Sequence, residues 1–222
     1  MKAPTAISCA MSHLLVFGPG YTARHIIALA KARGARVTTI GRAAIEDRTA
    51  VTAAIAEATH ILSSVPPDRD ADPVLDVYGD ALAAAPADWI GYLSSTGVYG
   101  DTGGAWVDES APVSGRRSGR NAADAGWSAI HPQARVFRLP GIYGPGRSAL
   151  ERIAEGKAHR IDLPDQVFSR VHVDDIAAGV IASMAKGPPG IYNLADDLPA
   201  SQNDVIAYAA QLLGQPLPPL LS

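Results

Sequence analysis

Short runs of Val, Ile and Leu alternate with alanine-rich stretches along most of the chain. The run from Leu14 to Phe17 is apolar without polar alternation, as in a strand covered on both faces. A helix follows, with Lys31 and Arg33 in its last turn and Gly34 beyond, and then a second strand that ends near Arg42. Downstream, helices are expected over Thr49 to Ala58, Asp72 to Ala85, Asn121 to Ile130 and Ser201 to Leu213. Strands are expected over His60 to Val65, Trp89 to Ser94, Arg135 to Leu139, Val167 to Val173 and Ile191 to Leu194. Asp72 caps its helix with Pro73 in the first turn. Asp174 or Asp175 caps a helix running to about Lys186, which Gly187 to Gly190 stops. Residues 100–120 and Pro140 to Arg147 read as loop and turn, and the proline-rich end, Gln215 to Ser222, has no partner element. This alternation predicts an α/β fold, a doubly wound parallel sheet of Rossmann type.

One stretch breaks the pattern. Only Ala43 to Arg48 separates the second strand from the next helix. Ala44-Ile45-Glu46 fits the stub of a third strand, with Asp47 at its end. A parallel crossover needs a dozen or more residues, so the second crossover is either missing or replaced by something irregular.

The 222 residues make one domain with at most a small appendage. They divide into a leader over 1–12, a dinucleotide-binding core over 13–150 and a short substrate-side segment over 151–222 that interleaves with the core. The leader is expected to be disordered, with Met11 as an alternative start. The 19 basic and 22 acidic residues give a net charge of −3, so nothing points to nucleic acid or to an anionic membrane. The single cysteine, Cys9, rules out an internal disulfide and fits the cytoplasm. No apolar stretch is long enough to span a bilayer.

The candidate chemistry sits at the first turn. Gly18-Pro19-Gly20-Tyr21-Thr22-Ala23 is a Gly-x-Gly-x-x-Ala motif between a strand and a helix, the context in which it binds a dinucleotide. Gly18 allows the sharp turn, Gly20 lets the backbone approach the diphosphate, and Ala23 is small enough for close helix–strand packing. The helix start offers free N–H groups to the anion. At the end of the second strand, where an NAD site usually carries Asp or Glu, the chain reads Ile40-Gly41-Arg42. A guanidinium pairs with the extra phosphate of NADP, so NADP is expected ahead of NAD, although NAD stays possible. The other reading of Arg42 is an ordinary solvated arginine. The histidines lack metal-ligand spacing, so no metal is expected. No Gly-x-Ser-x-Gly elbow surrounds Ser94 to Thr96.

Three further stretches carry a resemblance. They are Tyr92-Leu93-Ser94-Ser95-Thr96-Gly97-Val98-Tyr99-Gly100, Arg138-Leu139-Pro140-Gly141-Ile142-Tyr143-Gly144-Pro145-Gly146 and Val171-His172-Val173-Asp174-Asp175-Ile176-Ala177. With the glycine-rich start, in this order and over about residues 13–215, they resemble extended short-chain dehydrogenase/reductases, the NAD-dependent epimerase/dehydratase group. The resemblance implies a cofactor site that also takes in Asp47, Ser63, Ser64, Val65, Ser94, Pro140, Gly141 and Ile142. It matches Ser95 to the hydroxyl that holds a substrate oxygen, or else to a strand-end serine bonding local backbone. It matches His172 and Asp175 to a mainly structural pair. It also implies pairing of two copies through helices such as Asp72–Ala85 and Asn121–Ile130.

The departure from the family lies in its acid/base pair. No tyrosine of this chain has lysine four residues later, so the usual Tyr-x-x-x-Lys is absent. Where it should fall, the chain places Arg116 and Arg120. Arginine stays protonated and shuttles protons poorly, but it holds carboxylates and phosphates. The expected substrate contacts are therefore Thr96, Arg120, Arg147 and Arg170, with Tyr99 as substitute acid or merely a packed aromatic. The chain also stops earlier than extended members do. Two functions follow as expectations. The first is an NADP-dependent oxidoreductase or epimerase for a small polar substrate. The second is a non-catalytic NADP-binding redox sensor or scaffold.

Overall fold

The computed structural model describes residues 12–68, 71–163 and 166–221. Apart from Ser12, the expected leader lies outside the described residues, as does Cys9.

The chain runs β1 (His13–Phe17), α1 (Tyr21–Ala32), β2 (Arg36–Ile40), α2 (Arg48–Glu57), β3 (His60–Ser63), α3 (Pro73–Ala83) and β4 (Trp89–Ser95). It continues through α4 (Ser118–Ala129), β5 (Ala134–Leu139), β6 (Gly141–Tyr143), α5 (Ala149–Ala154), β7 (Arg160–Ile161) and β8 (Arg170–His172). It ends with α6 (Val173–Lys186), β9 (Gly190–Asn193), α7 (Gln202–Leu213) and β10 (Leu220–Leu221). Six strands form one parallel sheet in the order β2-β1-β3-β4-β5-β9.

Period-two alternation splits the sheet between two cores. Leu15, Phe17, Ile61, Ile90, Tyr92 and Val136 face α2, α3 and α4, where they meet Val51, Ile55, Val74, Tyr78, Leu82 and Trp127. Leu14, Val16, Leu62, Trp89 and Phe137 face α1 and α6, packing on Ala23, Ile26, Ile176, Val180 and Ile181. A small third core joins α5 to α7 through Ile153, Ile206, Ala209 and Ala210.

The compressed stretch has a simple outcome. Ala44-Ile45-Glu46 forms a single 3-10 turn and not a strand stub. The chain then crosses straight from β2 over α2 to β3, on the other side of β1. An outer third strand is therefore omitted, and of the two alternatives the second crossover is the one that is missing. The Tyr78 hydroxyl donates to the Ile45 carbonyl and ties the turn to α3.

Three further expectations are corrected. Val167 to Val173 shortens to β8, which pairs with β6 in a separate two-stranded sheet. The cap of α6 is neither Asp174 nor Asp175 but His172, whose Nδ1 accepts from the Asp174 N–H at 3.2 Å. Both aspartates instead occupy the first turn, where the helix dipole favours them. The proline-rich end does find a partner, because β10 pairs with β7. Among the described residues no helix is long and apolar enough to cross a membrane.

Candidate functional site

The sheet reverses direction at β1. From β1 the chain passes to β2 on one side, then returns to β3 on the other. Such a switch opens a crevice beyond the C-terminal strand ends, where open α/β sheets bind ligands.

Gly18 makes the turn out of β1 with φ +72°, and a Cβ there would stand 2.9 Å from Val65 Cγ2. Its N–H donates to the Ile40 carbonyl at 2.9 Å, while its own carbonyl accepts from the Gly20 N–H at 2.7 Å and from the Ser64 hydroxyl. The turn is thus fastened to the ends of β2 and β3. Ser64 and Val65 shape it. Gly20 needs no unusual φ, and its role is space: a Cβ there would meet nothing nearer than the Gly18 carbonyl at 3.9 Å.

The start of α1 is bare. Side chains of Asp47, Asp72, Ser148, His172 and Ser201 cap α2, α3, α5, α6 and α7. At α1 no side chain caps, and no acid sits in the first turn. Among the described residues the N–H groups of Thr22 and Ala23 have no acceptor. Such a terminus is suited to an anion. Thr22 and Ala23 are buried and Pro19 is half-buried, so the turn is held from beneath.

A second loop closes on this terminus. The Tyr21 hydroxyl donates to the Pro145 carbonyl at 2.9 Å, and the Arg147 guanidinium lies 5.7 Å above the Tyr21 ring. Glu151 fastens the loop by accepting from the N–H groups of Gly146 (2.6 Å) and Ser148 (2.8 Å). The Gly146 N–H, with the Ser148 hydroxyl, holds the Glu151 carboxyl below its usual range. Arg147 therefore stands beside the start of α1. Arg42 is exposed just past β2, and among the described residues its side chain has no partner. Bare N–H groups, open space over Gly20 and nearby guanidiniums fit the phosphates of a dinucleotide. Asp47 caps α2, its Oδ1 accepting from the Ala50 N–H at 3.0 Å. Pro140 and Ile142 are half-buried and Gly141 exposed, past the end of β5.

At the end of β4, Ser95 Oγ accepts from the Gly97 N–H at 3.1 Å. That bond keeps the hydroxyl proton available to a second partner. Ser95 and Thr96 are half-buried at the sheet edge.

Several expected site residues face elsewhere. Ser94 donates to Asp124 Oδ2 at 2.6 Å, away from the crevice. Ser63 is 0 % exposed with an unpartnered Oγ, so no ligand reaches its hydroxyl. Tyr99 is not placed as an acid. It is buried, its hydroxyl donates to Asn193 Oδ1 at 2.7 Å, and it accepts from Arg138 Nη1 at 2.9 Å. Arg170 is spent on backbone, donating to the carbonyls of Ala200 (2.8 Å) and Phe168 (3.0 Å), so it is a brace and not a substrate contact.

What organises this wall is an ion pair that the sequence reading missed. Arg138 on β5 is 2 % exposed and meets Asp124 of α4, also 2 % exposed, through Nη2 at 2.7 Å and Nε at 3.2 Å. Burial works against the guanidinium charge, but bonds to Asp124 and Tyr99 outweigh it and hold the arginine above its usual value. Its cation also covers the Tyr99 ring at 4.8 Å. Glu109 completes the network, with Oε1 accepting from the Asn193 N–H at 2.7 Å. The signal was an arginine inside a strand buried along its whole length.

Past the same edge, Arg116, Arg117 and Arg120 line a cavity of about 440 Å³ with Ser118, Pro67 and Asp68. Arg120 is half-buried in the first turn of α4, while Arg116 and Arg117 are exposed.

No family model matches the chain, and no curated protein matches it. Solved structures do. A functionally unknown conserved protein from Silicibacter pomeroyi is 44% identical, with 95% of this chain and 81% of that one covered and a TM-score of 0.84. A dTDP-4-dehydrorhamnose reductase from Clostridium acetobutylicum is 19% identical, with coverage of 94% and 83% and a TM-score of 0.76. The UDP-glucose 4-epimerase of Thermus thermophilus, solved with NAD, is 18% identical, with coverage of 94% and 85% and a TM-score of 0.71. The last two share the fold. The first shows kinship: this chain belongs to one family with the Silicibacter protein, and its fold is that of NAD-dependent epimerase/dehydratase-like short-chain dehydrogenase/reductases.

Proposed function

We propose that this protein binds a nicotinamide dinucleotide, NADPH ahead of NADH, and serves as an oxidoreductase or epimerase for a small polar substrate. The observation that carries this reading is the bare start of α1 beneath the open space at Gly20. The turn Gly18 to Ala23 receives the diphosphate, with Arg147 as its counter-charge. Arg42 receives the 2′-phosphate. The segments at Ser64–Val65 and Pro140–Ile142 flank the nicotinamide end. Bound there, the nicotinamide supplies or accepts a hydride. Ser95 orients the substrate by donating its free hydroxyl proton to a substrate oxygen, with Thr96 beside it. Because Tyr99 is engaged on both sides, exchangeable protons come from water. Lacking a positioned acid or base typically costs 10²- to 10⁴-fold in rate, so turnover is expected to be slow.

The engaged Tyr99 and the absent Tyr-x-x-x-Lys favour a second reading, a redox sensor that binds the dinucleotide without turning it over. A fluorescence titration with NADPH and with NADH, on the wild type and on Arg42→Ala, tests the binding. Tight NADPH binding that Arg42→Ala weakens is expected, and equal losses for both nucleotides would overturn the role of Arg42. A screen of polar carbonyl compounds for NADPH oxidation separates enzyme from sensor.

A further inference from the structure

We infer that the cavity at the start of α4 is a binding pocket for a doubly charged oxyanion, a phosphate monoester or a dicarboxylate carried by the substrate. This rests on the dinucleotide reading and names the substrate class for it.

The pocket has a fixed place. Asp124 is level with Ser94 at the end of β4, because the two side chains bond. Arg120 lies one helical turn nearer the start of α4, roughly 6 Å further out, and so stands above the strand ends. Arg116 is carried there by a pinned loop. The N–H groups of Ser114 (2.9 Å) and Gly115 (2.8 Å) donate to the Val98 carbonyl, and Asn121 Nδ2 donates to the Gly115 carbonyl at 2.7 Å. The loop so fixed lies against the turn that follows Ser95. Pro67 and Asp68, just downstream of the Ser64–Val65 segment, form the facing wall.

The charge is unbalanced. Among the described residues, three guanidiniums line the cavity with one carboxylate, Asp68. Among the described residues none of the three takes part in an ion pair or side-chain hydrogen bond, whereas Arg138, Arg135 and Arg170 are all fully engaged. Like charges gathered around one concavity without acceptors repel one another, and a ligand bearing about two negative charges relieves this. Guanidinium forks match carboxylate and phosphate oxygens in pairs. A cavity of about 440 Å³ holds a small metabolite. The pocket lacks aromatic side chains on which bases could stack, so it does not read as a nucleic-acid groove. Arginines at the positions of the family's proton relay thus exchange proton transfer for anion capture.

The test is calorimetry of inorganic phosphate and, separately, succinate against the protein saturated with NADPH, so that the turn at Gly20 is filled. Binding of one or both is expected, with the stronger of the two naming the source of the charge. The double variant Arg116→Gln/Arg120→Gln should weaken it by roughly tenfold or more. Arg33→Gln, a charge loss at the far end of α1, should leave it unchanged. Failure of both anions to bind, equal weakening by Arg33→Gln, or an unaffected double variant overturns the pocket. NADPH titration of the double variant keeps the two readings apart. Normal NADPH binding with no anion binding removes only the pocket. Should NADPH not bind at all, the Gly20→Val protein, its phosphate cradle filled by a side chain, gives the same anion test.

Discussion

Helix α4 meets two sets of arginines, and they are treated in opposite ways. Near its middle, Asp124 holds Arg138 in a buried, doubly bonded pair that also engages Tyr99 and Ser94. At its start, Arg116, Arg117 and Arg120 converge on an open concavity where, among the described residues, Asp68 is the one carboxylate. A buried charge must be matched within the fold, because leaving it alone costs several kcal/mol. An exposed convergent charge costs the fold little and leaves its binding capacity for something else. Arginine on its own therefore says nothing about function, while the number of its hydrogen-bond partners does.

The largest effect should come from breaking the matched set. Asp124→Ala leaves the Arg138 cation buried and is expected to cost about 3–5 kcal/mol in urea unfolding. Replacing both partners, Asp124→Leu with Arg138→Met, should recover most of that loss. If the single change proves harmless, Arg138 is not held as described. Next is Arg42→Ala, expected to weaken NADPH binding by about 1.5–3 kcal/mol, the worth of a charged hydrogen bond, with NADH nearly unchanged. Tyr99→Phe removes a hydroxyl that serves the buried Arg138 and the half-buried Asn193, and a stability loss of about 1–2 kcal/mol is expected. Any turnover should survive that change, and abolished turnover in a folded variant would restore Tyr99 as the acid. At the unmatched end, Arg120→Ala should shift stability by no more than about 0.5 kcal/mol, as surface changes do.

The smallest effect is pH-linked. Burial lowers the pKa of His60, with Asp88 opposing and Arg135 assisting. The unfolded chain therefore binds a proton that the folded one does not. Stability from neutral His60 is full above the ordinary value of 6.5 and is lost as pH falls below it. Urea midpoints at pH 7.5, 6.5 and 5.5 should decline in that order, and His60→Phe should flatten the decline.

Much of the fold was legible because parallel strands covered on both faces must be written as unbroken apolar runs. Leu14 to Phe17 could be little else, and Asp72-Pro73 marked the start of α3 through cap chemistry alone. The turn at Gly18 was equally readable, since its residues answer to backbone geometry. Elements held by distant partners were not. β10 is two residues long and exists because β7 lies beside it. The start of α4 lies three residues ahead of the expected Asn121, since its cap position holds Arg117, whose side chain makes no cap bond. The orientation of Tyr99 depends on Arg138 and Asn193, which are 39 and 94 residues away, and no local pattern encodes that. Ser95 shows the middle case: its place at the edge was readable, but its bond to the Gly97 N–H was not.

The most direct test of the central claim is an NADPH titration of Gly20→Val beside the wild type. Apart from its chain neighbours, a Cβ at Gly20 meets no atom nearer than 3.9 Å and needs no unusual backbone angle, so the fold should tolerate it. The same side chain would occupy the space assigned to the diphosphate. The account predicts wild-type binding, an unaltered thermal midpoint for the variant and loss of its NADPH binding. A folded Gly20→Val protein that binds NADPH as the wild type does would contradict it.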